Sequence, residues 1–294
     1  MKYFRILLIL LMCNSVNAAV AKRYWFTYPI NRTVADTDTL VKKRSISAGI
    51  SYGSDALFFG RTSPVTYPYM STDVIYNTKG GFFIYGSALK LLGYPTLEDE
   101  VDLGAGYAYR LSHKYTGTIS YNRFIFSNKT RVIESATSND INWKNAYDWK
   151  KAQSSVVLDY LFGKSSDFFI TINTSKYIET TWNVFDDKDY LTFNPGVSII
   201  LGTQNFVQTY ALDHSNRQDA DDIAIFGPNH VPYNNGRFNA LNYSFKLPIG
   251  YNRPHYTFEA SYKYSIPVNV EGALKNKRES FFNLTFYYVF FKSR

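Results

Sequence analysis

Gly49-Ile50-Ser51-Tyr52-Gly53 has the spacing of a nucleophile elbow, in which a strand-to-helix turn lifts a serine above a sheet beside backbone donors. Here the five residues lie within an alternating run: Ile46, Ala48, Ile50 and Tyr52 against Ser47, Gly49, Ser51 and Gly53. No helical pattern follows, so Ser51 is read as a strand residue and no catalytic residue is assigned. Four histidines are available as bases. His113 and His255 fall in short turns, His214 stands at the start of the longest link and His230 within it. His214 adjoins Ser215, but neighbours on a strand point to opposite faces, so adjacency does not make a dyad. Acidic groups gather in Glu98-Asp99-Glu100, Asp186-Asp187-Lys188-Asp189 and Asp219-Ala220-Asp221-Asp222. They lack a Ca²⁺-loop spacing and are read as solvated links, so no metal or cofactor is implied.

A second set of charges stands inside alternating segments. If the apolar residues face outward, Asp102, Arg110, Asp159, Lys246, Glu259 and Lys263 point into an interior. Both signs inside a barrel can pair across it and close it, or line a water path and bias it.

The alternation that positions these charges runs through the chain. In 256–266, Tyr256, Phe258, Ala260, Tyr262, Tyr264 and Ile266 alternate with Thr257, Glu259, Ser261, Lys263 and Ser265. Leu241 to Ile249 and Phe282 to Phe290 repeat the pattern. No helix-period stretch exists to cover a sheet, so the apolar face is read as meeting lipid. The expected fold is all-β: a transmembrane antiparallel up-and-down β-barrel. Strands are expected at 44–56, 66–78, 82–92, 101–111, 115–126, 148–162, 168–179, 190–202, 205–214, 237–250, 256–266 and 280–291. Short links (77–81, 112–114, 163–167, 203–204, 252–255) alternate with longer ones (57–65, 93–100, 127–147, 180–189, 215–236, 267–279). That asymmetry gives about 12 strands, short periplasmic turns, long external loops and both termini in the periplasm.

Lys2 and Arg5, the apolar run Ile6 to Met12 and then Val16-Asn17-Ala18, with small residues three and one before the break, read as a signal peptide over 1–18. Residues 19–43 follow as a periplasmic N-terminal tail or small plug, and 44–294 form the barrel. Cys13 is the single cysteine and would leave with the leader, so disulfides are not expected. The net charge of +8 is spread along the chain, which argues against nucleic acid as a partner. Tyr and Phe number 26 and 23, suiting rings at the headgroup level of both rims.

With the fold in view, Phe59-Gly60-Arg61-Thr62, Phe162-Gly163-Lys164-Ser165-Ser166-Asp167-Phe168-Phe169, Gly202-Thr203-Gln204 and the aromatic-rich end resemble outer-membrane β-barrel proteins of Bacteroidota. The ending Phe290-Phe291-Lys292-Ser293-Arg294 departs from a terminal aromatic, and the resemblance transfers no active site. The expected location is the bacterial outer membrane, with lipid, lipopolysaccharide, the barrel-assembly machinery and a small solute as partners. The expected function is a narrow pore or small-solute-binding channel. A closed structural barrel with binding external loops is the alternative, and an outer-membrane lipid-modifying enzyme the third.

Overall fold

The computed structural model describes residues 44–55, 66–95, 97–127, 137–205, 237–269 and 278–291. Expectations for the leader, Cys13, the 19–43 tail, Phe59 to Thr62, His214, His230 and the 219–222 acids lie outside these residues.

The elements are β1 (Ser45–Gly53), β2 (Tyr69–Asn77), β3 (Phe82–Leu91), β4 (Glu100–Arg110), β5 (Tyr115–Phe126), β6 (Thr137–Asp148) and β7 (Gln153–Gly163). They continue as β8 (Ser166–Ser175), β9 (Ile178–Glu179), β10 (Tyr190–Phe193), β11 (Gly196–Gly202), β12 (Asn239–Asn252), β13 (Tyr256–Pro267) and β14 (Glu279–Phe291). Every pairing is antiparallel. β1 pairs with β14 and β11 with β12, so the sheet closes on itself. β9 prolongs β8 and β10 precedes β11 in unbroken register, interrupted at Pro195. The wall therefore has 12 strands, as the alternation predicts.

Closure matters because a sheet in hydrocarbon has no water to satisfy an open edge. Following the register once round the ring displaces it by about 16 residues, which for 12 strands means a tilt near 40° and a backbone radius of about 12 Å. That interior is too wide for the backbone alone to fill.

The outer face is apolar: Ile50, Val74, Ile84, Leu103, Ile141, Val197, Phe245, Leu284 and Phe290 are all exposed. Among the described residues no helix or second sheet covers this belt. An apolar surface encircling the molecule far exceeds what a water-soluble monomer exposes, and it fits a lipid solvent. At the end bearing the short turns, rings gather: Phe82 against Tyr107 at 4.9 Å, Tyr147 against Trp149 at 4.4 Å, and Tyr288 against Phe290 at 4.6 Å. Trp143 Nε1 donates to the Tyr109 hydroxyl at 2.8 Å, and the Tyr109 and Tyr115 hydroxyls donate to Asn145 Oδ1 at 2.6 and 2.7 Å. An outward asparagine is thus satisfied by rings on its own wall.

The strand placement needs two corrections. Residues 137–147, expected in the 127–147 link, belong to β6, and Asp148, expected to open the next strand, closes it. An expected strand at 205–214 lies beyond the described residues from 206 onward, and both edges of β11 are already taken by β8 and β12. Each antiparallel strand reverses the end at which the next link emerges, so the missed strand moves three links across the barrel. Residues 164–165 join β7 to β8 at the long-link end, where they break the strict alternation of lengths. The 180–189 link lies at the turn end, and Thr203-Gln204 leaves β11 at the long-link end. Omitting the 205–214 strand restores the side of every later link, so His113 and His255 are at the turn end, where His255 stacks on Tyr288.

Candidate functional site: the barrel interior

The interior divides by height. Near the long-link end the inward side chains are apolar and packed: Tyr69, Leu91, Leu161, Phe169 and Ile200 are at most 1% exposed, with Phe124 and Phe281 nearly so. They occupy β2, β3, β5, β7, β8, β11 and β14, each within a few residues of the strand end there, and so form a collar. Two of these rings lie flat because they face glycine across the ladder: Tyr69 opposite Gly53 and Phe169 opposite Gly202. A Cβ at either glycine would collide with the ring. The same device recurs lower down, with Tyr85 over Gly104.

Below the collar the inward residues are mixed: Ile75, Phe83, Tyr85 and Val157 are buried apolar side chains, and polar ones stand among them. Asp102 accepts from Ser87 Oγ at 2.9 Å. Asn122 Nδ2 donates to Asp140 Oδ2 at 2.7 Å, and Asn142 Nδ2 to Asp159 Oδ1 at 2.6 Å. Each carboxylate is thus held by a neutral donor on the adjacent strand. On the far side, Lys246 of β12 stands directly opposite Lys263 of β13. Lys246 Nζ is 3.9 Å from Glu259 Oε1, and Lys263 Nζ is 5.8 Å from the centroid of the Phe281 ring. Arg110 closes β4 at the turn end, exposed and well below the others. Among the described residues neither Arg110 nor Lys263 has a carboxylate within 4.0 Å.

The structure therefore brings Lys246, Lys263 and Glu259 together, places Asp102 on the opposite wall and Asp159 a quarter of the ring from both, and leaves Arg110 apart. The sequence reading missed Asp73, Asp140 and Lys144, which also face inward. Asp140 and Lys144 sit in the stretch taken as a link; the alternation of Ile141 and Trp143 with Asn142 and Lys144 was the signal that could have found them.

The acidic links do structural work instead of standing free in solvent. Asp99, fully buried, accepts the Leu91 N–H at 2.7 Å at the long-link end. Asp189, at the turn end, accepts the N–H groups of Val184 at 2.6 Å and Phe185 at 3.0 Å, and the Tyr251 hydroxyl at 3.0 Å. Burial pushes its carboxyl up, but the hydrogen bonds from Val184, Tyr251, Phe185 and Asp186 outweigh that and hold it below its ordinary value. Arg253 completes the clasp with an ion pair to Asp186 and lies 3.8 Å from Asp189.

No family model matches the sequence, and no curated protein matches it. Among solved structures, the chain is similar to the KdgM porin (7% identity, 84% of this chain and 99% of that one, TM-score 0.47). It is also similar to the NanC porin (12% identity, 85% and 100%, TM-score 0.40). LpxR from Salmonella typhimurium is a third (8% identity, 83% and 99%, TM-score 0.44). The closed ladder and encircling apolar belt make this chain a transmembrane β-barrel of the outer-membrane class.

Proposed function

We propose that the protein is a non-enzymatic outer-membrane channel that passes or holds a small solute in a mixed-charge chamber, its short turns and termini facing the periplasm. One observation carries this reading: on the interior face the side chains of Lys246 and Glu259 are 47% and 32% exposed. Charges facing inward at that exposure are hydrated, so the chamber holds water. Asp102, Arg110, Asp159, Lys246, Glu259 and Lys263 are its lining, and charges of both signs there bias which solutes enter. The apolar collar above is the narrow passage, and constrictions of that kind gate by dewetting.

Planar-bilayer recordings test the proposal. Folded protein is expected to give small, discrete conductance steps; their absence at every salt concentration overturns the pore. The packed collar favours a second reading, a barrel closed at its long-link end whose long links do the binding. In that case Phe169→Ala and Leu161→Ala open no conductance either.

A further inference from the structure

We propose that Arg123, aimed by Asn139 and Ser138, is a phosphate-binding site on the outer wall that holds the headgroup of a membrane lipid in the leaflet at the long-link end. The site does not depend on conduction. It takes from the channel reading only the orientation, by which that lipid is lipopolysaccharide.

Arg123 is an exposed cation set within the apolar belt. The outward residues of β5 run Ile119, Tyr121, Arg123, Ile125, and Leu103 of β4 stands directly opposite Arg123; all four neighbours are exposed. Arg123 is three residues short of Phe126, where β5 ends, so its backbone lies about 8 Å below the rim at the tilt of this barrel. Next to it on the wall, Tyr160 and Phe162 of β7 stack at 5.6 Å, outward rings of the kind that mark headgroup level. A long stem lets the guanidinium reach that level, and a charge facing lipid is least costly where the interface supplies its counter-charge. The wall supplies none: among the described residues no carboxylate lies within 4.0 Å of Arg123.

What the wall does supply is a mount. Asn139 of β6, directly opposite Arg123, is buried with both ends of its amide engaged. Its Oδ1 accepts from the Tyr121 hydroxyl at 2.7 Å and from Arg123 Nη1 at 2.9 Å, and its Nδ2 donates to the Phe162 carbonyl at 3.1 Å and to Ser138 Oγ at 3.2 Å. Ser138 Oγ also accepts from Arg123 Nη1, at 3.3 Å. The register of β6 against β7 shifts between Thr137 and Asn139, so Ser138 is the extra residue of a bulge, the device by which a strand re-aims a side chain. Gly163 leaves room for it: a Cβ there would come within 2.8 Å of Ser138 Oγ. Both anchoring bonds leave Arg123 from Nη1. Nε and Nη2 have no acceptor among the described residues, and together they form the edge of two parallel donors that matches two oxygens of one phosphate.

Native mass spectrometry of the detergent-solubilised barrel tests the site lipid by lipid, with deep-rough lipopolysaccharide, the same lipopolysaccharide stripped of its phosphates, phosphatidylglycerol and inorganic phosphate as probes. Saturable binding of lipopolysaccharide is expected, weakened about ten-fold by Arg123→Gln and less by Arg123→Lys, which keeps the charge and loses the fork. Asn139→Asp should also weaken it, because it hands Arg123 a carboxylate of its own. Stripping the phosphates should cost the wild type about the same factor and cost Arg123→Gln little, a non-additivity that general damage to the wall would not produce. Heat-modifiable migration in gels confirms that each variant is folded. The proposal is overturned if Arg123→Gln binds as wild type does, if the stripped lipid binds as well as the intact one, or if inorganic phosphate binds as tightly as either lipid. Preference for phosphatidylglycerol with the same dependence on Arg123 keeps the site and reverses the orientation.

Discussion

The two tiers of the interior solve opposite problems on the same strands. Near the long links Tyr69, Leu161, Phe169 and Ile200 are sealed from solvent, while a few residues lower Lys246 stands in water. The collar behaves as a hydrophobic core bent into a ring: its contribution is transfer and packing energy, and any gap there is a cavity. Below it, amide-to-carboxylate pairs join adjacent strands; Asn122, Asp140 and Asp159 are themselves buried, so stranding one partner costs more than the modest net worth of the bond. Apolar packing is therefore concentrated in the collar and along β2 and β3, and hydrated charge on β12 and β13.

Phe169→Ala breaks that contrast hardest. It deletes a fully buried ring packed over Gly202, and a loss of about 3–5 kcal/mol is expected in urea unfolding. If the collar is also the constriction, single-channel conductance rises in the same variant. Next is the wall itself: Leu284→Arg puts a charge on the lipid face and is expected to cost about 2–4 kcal/mol by the same measurement in bilayers. That the arginine faces lipid and not a protein core is what the size and depth dependence of the loss report. A smaller effect belongs to the chamber. Asp159→Ala strands the Asn142 amide and is expected to cost about 1–3 kcal/mol, whereas Asp159→Asn, which keeps an acceptor of the same shape, changes stability little. If both variants are equally damaged, the chamber is packed rather than wet.

Much of this division was legible before any coordinates, and the failures have physical causes. Strands such as β4 and β13 alternate cleanly because lipid tolerates no polar side chain on their outer faces. β6 escaped because Asn139 and Asn145 interrupt its outer face, and those residues are tolerated only because the hydroxyls of Tyr121, Tyr109 and Tyr115 reach them. The turn after β6, Trp149 to Ala152, contains no Gly, Pro, Asn or Asp. Lys150 takes the left-handed conformation there with φ 72, its N–H bound to Asp148 Oδ1 at 2.8 Å. A turn that borrows its cap from the preceding strand leaves little trace in composition. The collar was also invisible as such: apolar residues on the inward parity look like noise in an alternating pattern until closure brings seven strands' worth together. The Lys246–Lys263 juxtaposition needed the β12–β13 register, although both residues were legible as inward charges.

The turn end adds a third tier, and acid separates it from the other two. The 180–189 link is fastened by Asp189, whose carboxylate accepts the Val184 and Phe185 amides, and by Arg253 against Asp186. Because those hydrogen bonds hold the Asp189 carboxyl below its ordinary value, the released link binds a proton more readily than the fastened one does. The clasp is therefore at full strength above the ordinary carboxylate value of about 4 and is lost as pH falls below it, through the lowered value. The protection of the Val184 and Phe185 amides, their exchange relative to the unstructured rate at the same pH, followed by NMR on the detergent-solubilised barrel, is expected to fall on that descent while the ladder amides of β13 and β14 stay protected. Asp189→Asn should give faster exchange at neutral pH and abolish the acid-dependent step. If the protection of these amides ignores pH in the wild type, the link is held by its apolar side chains and not by the carboxylate. The three tiers then reduce to two.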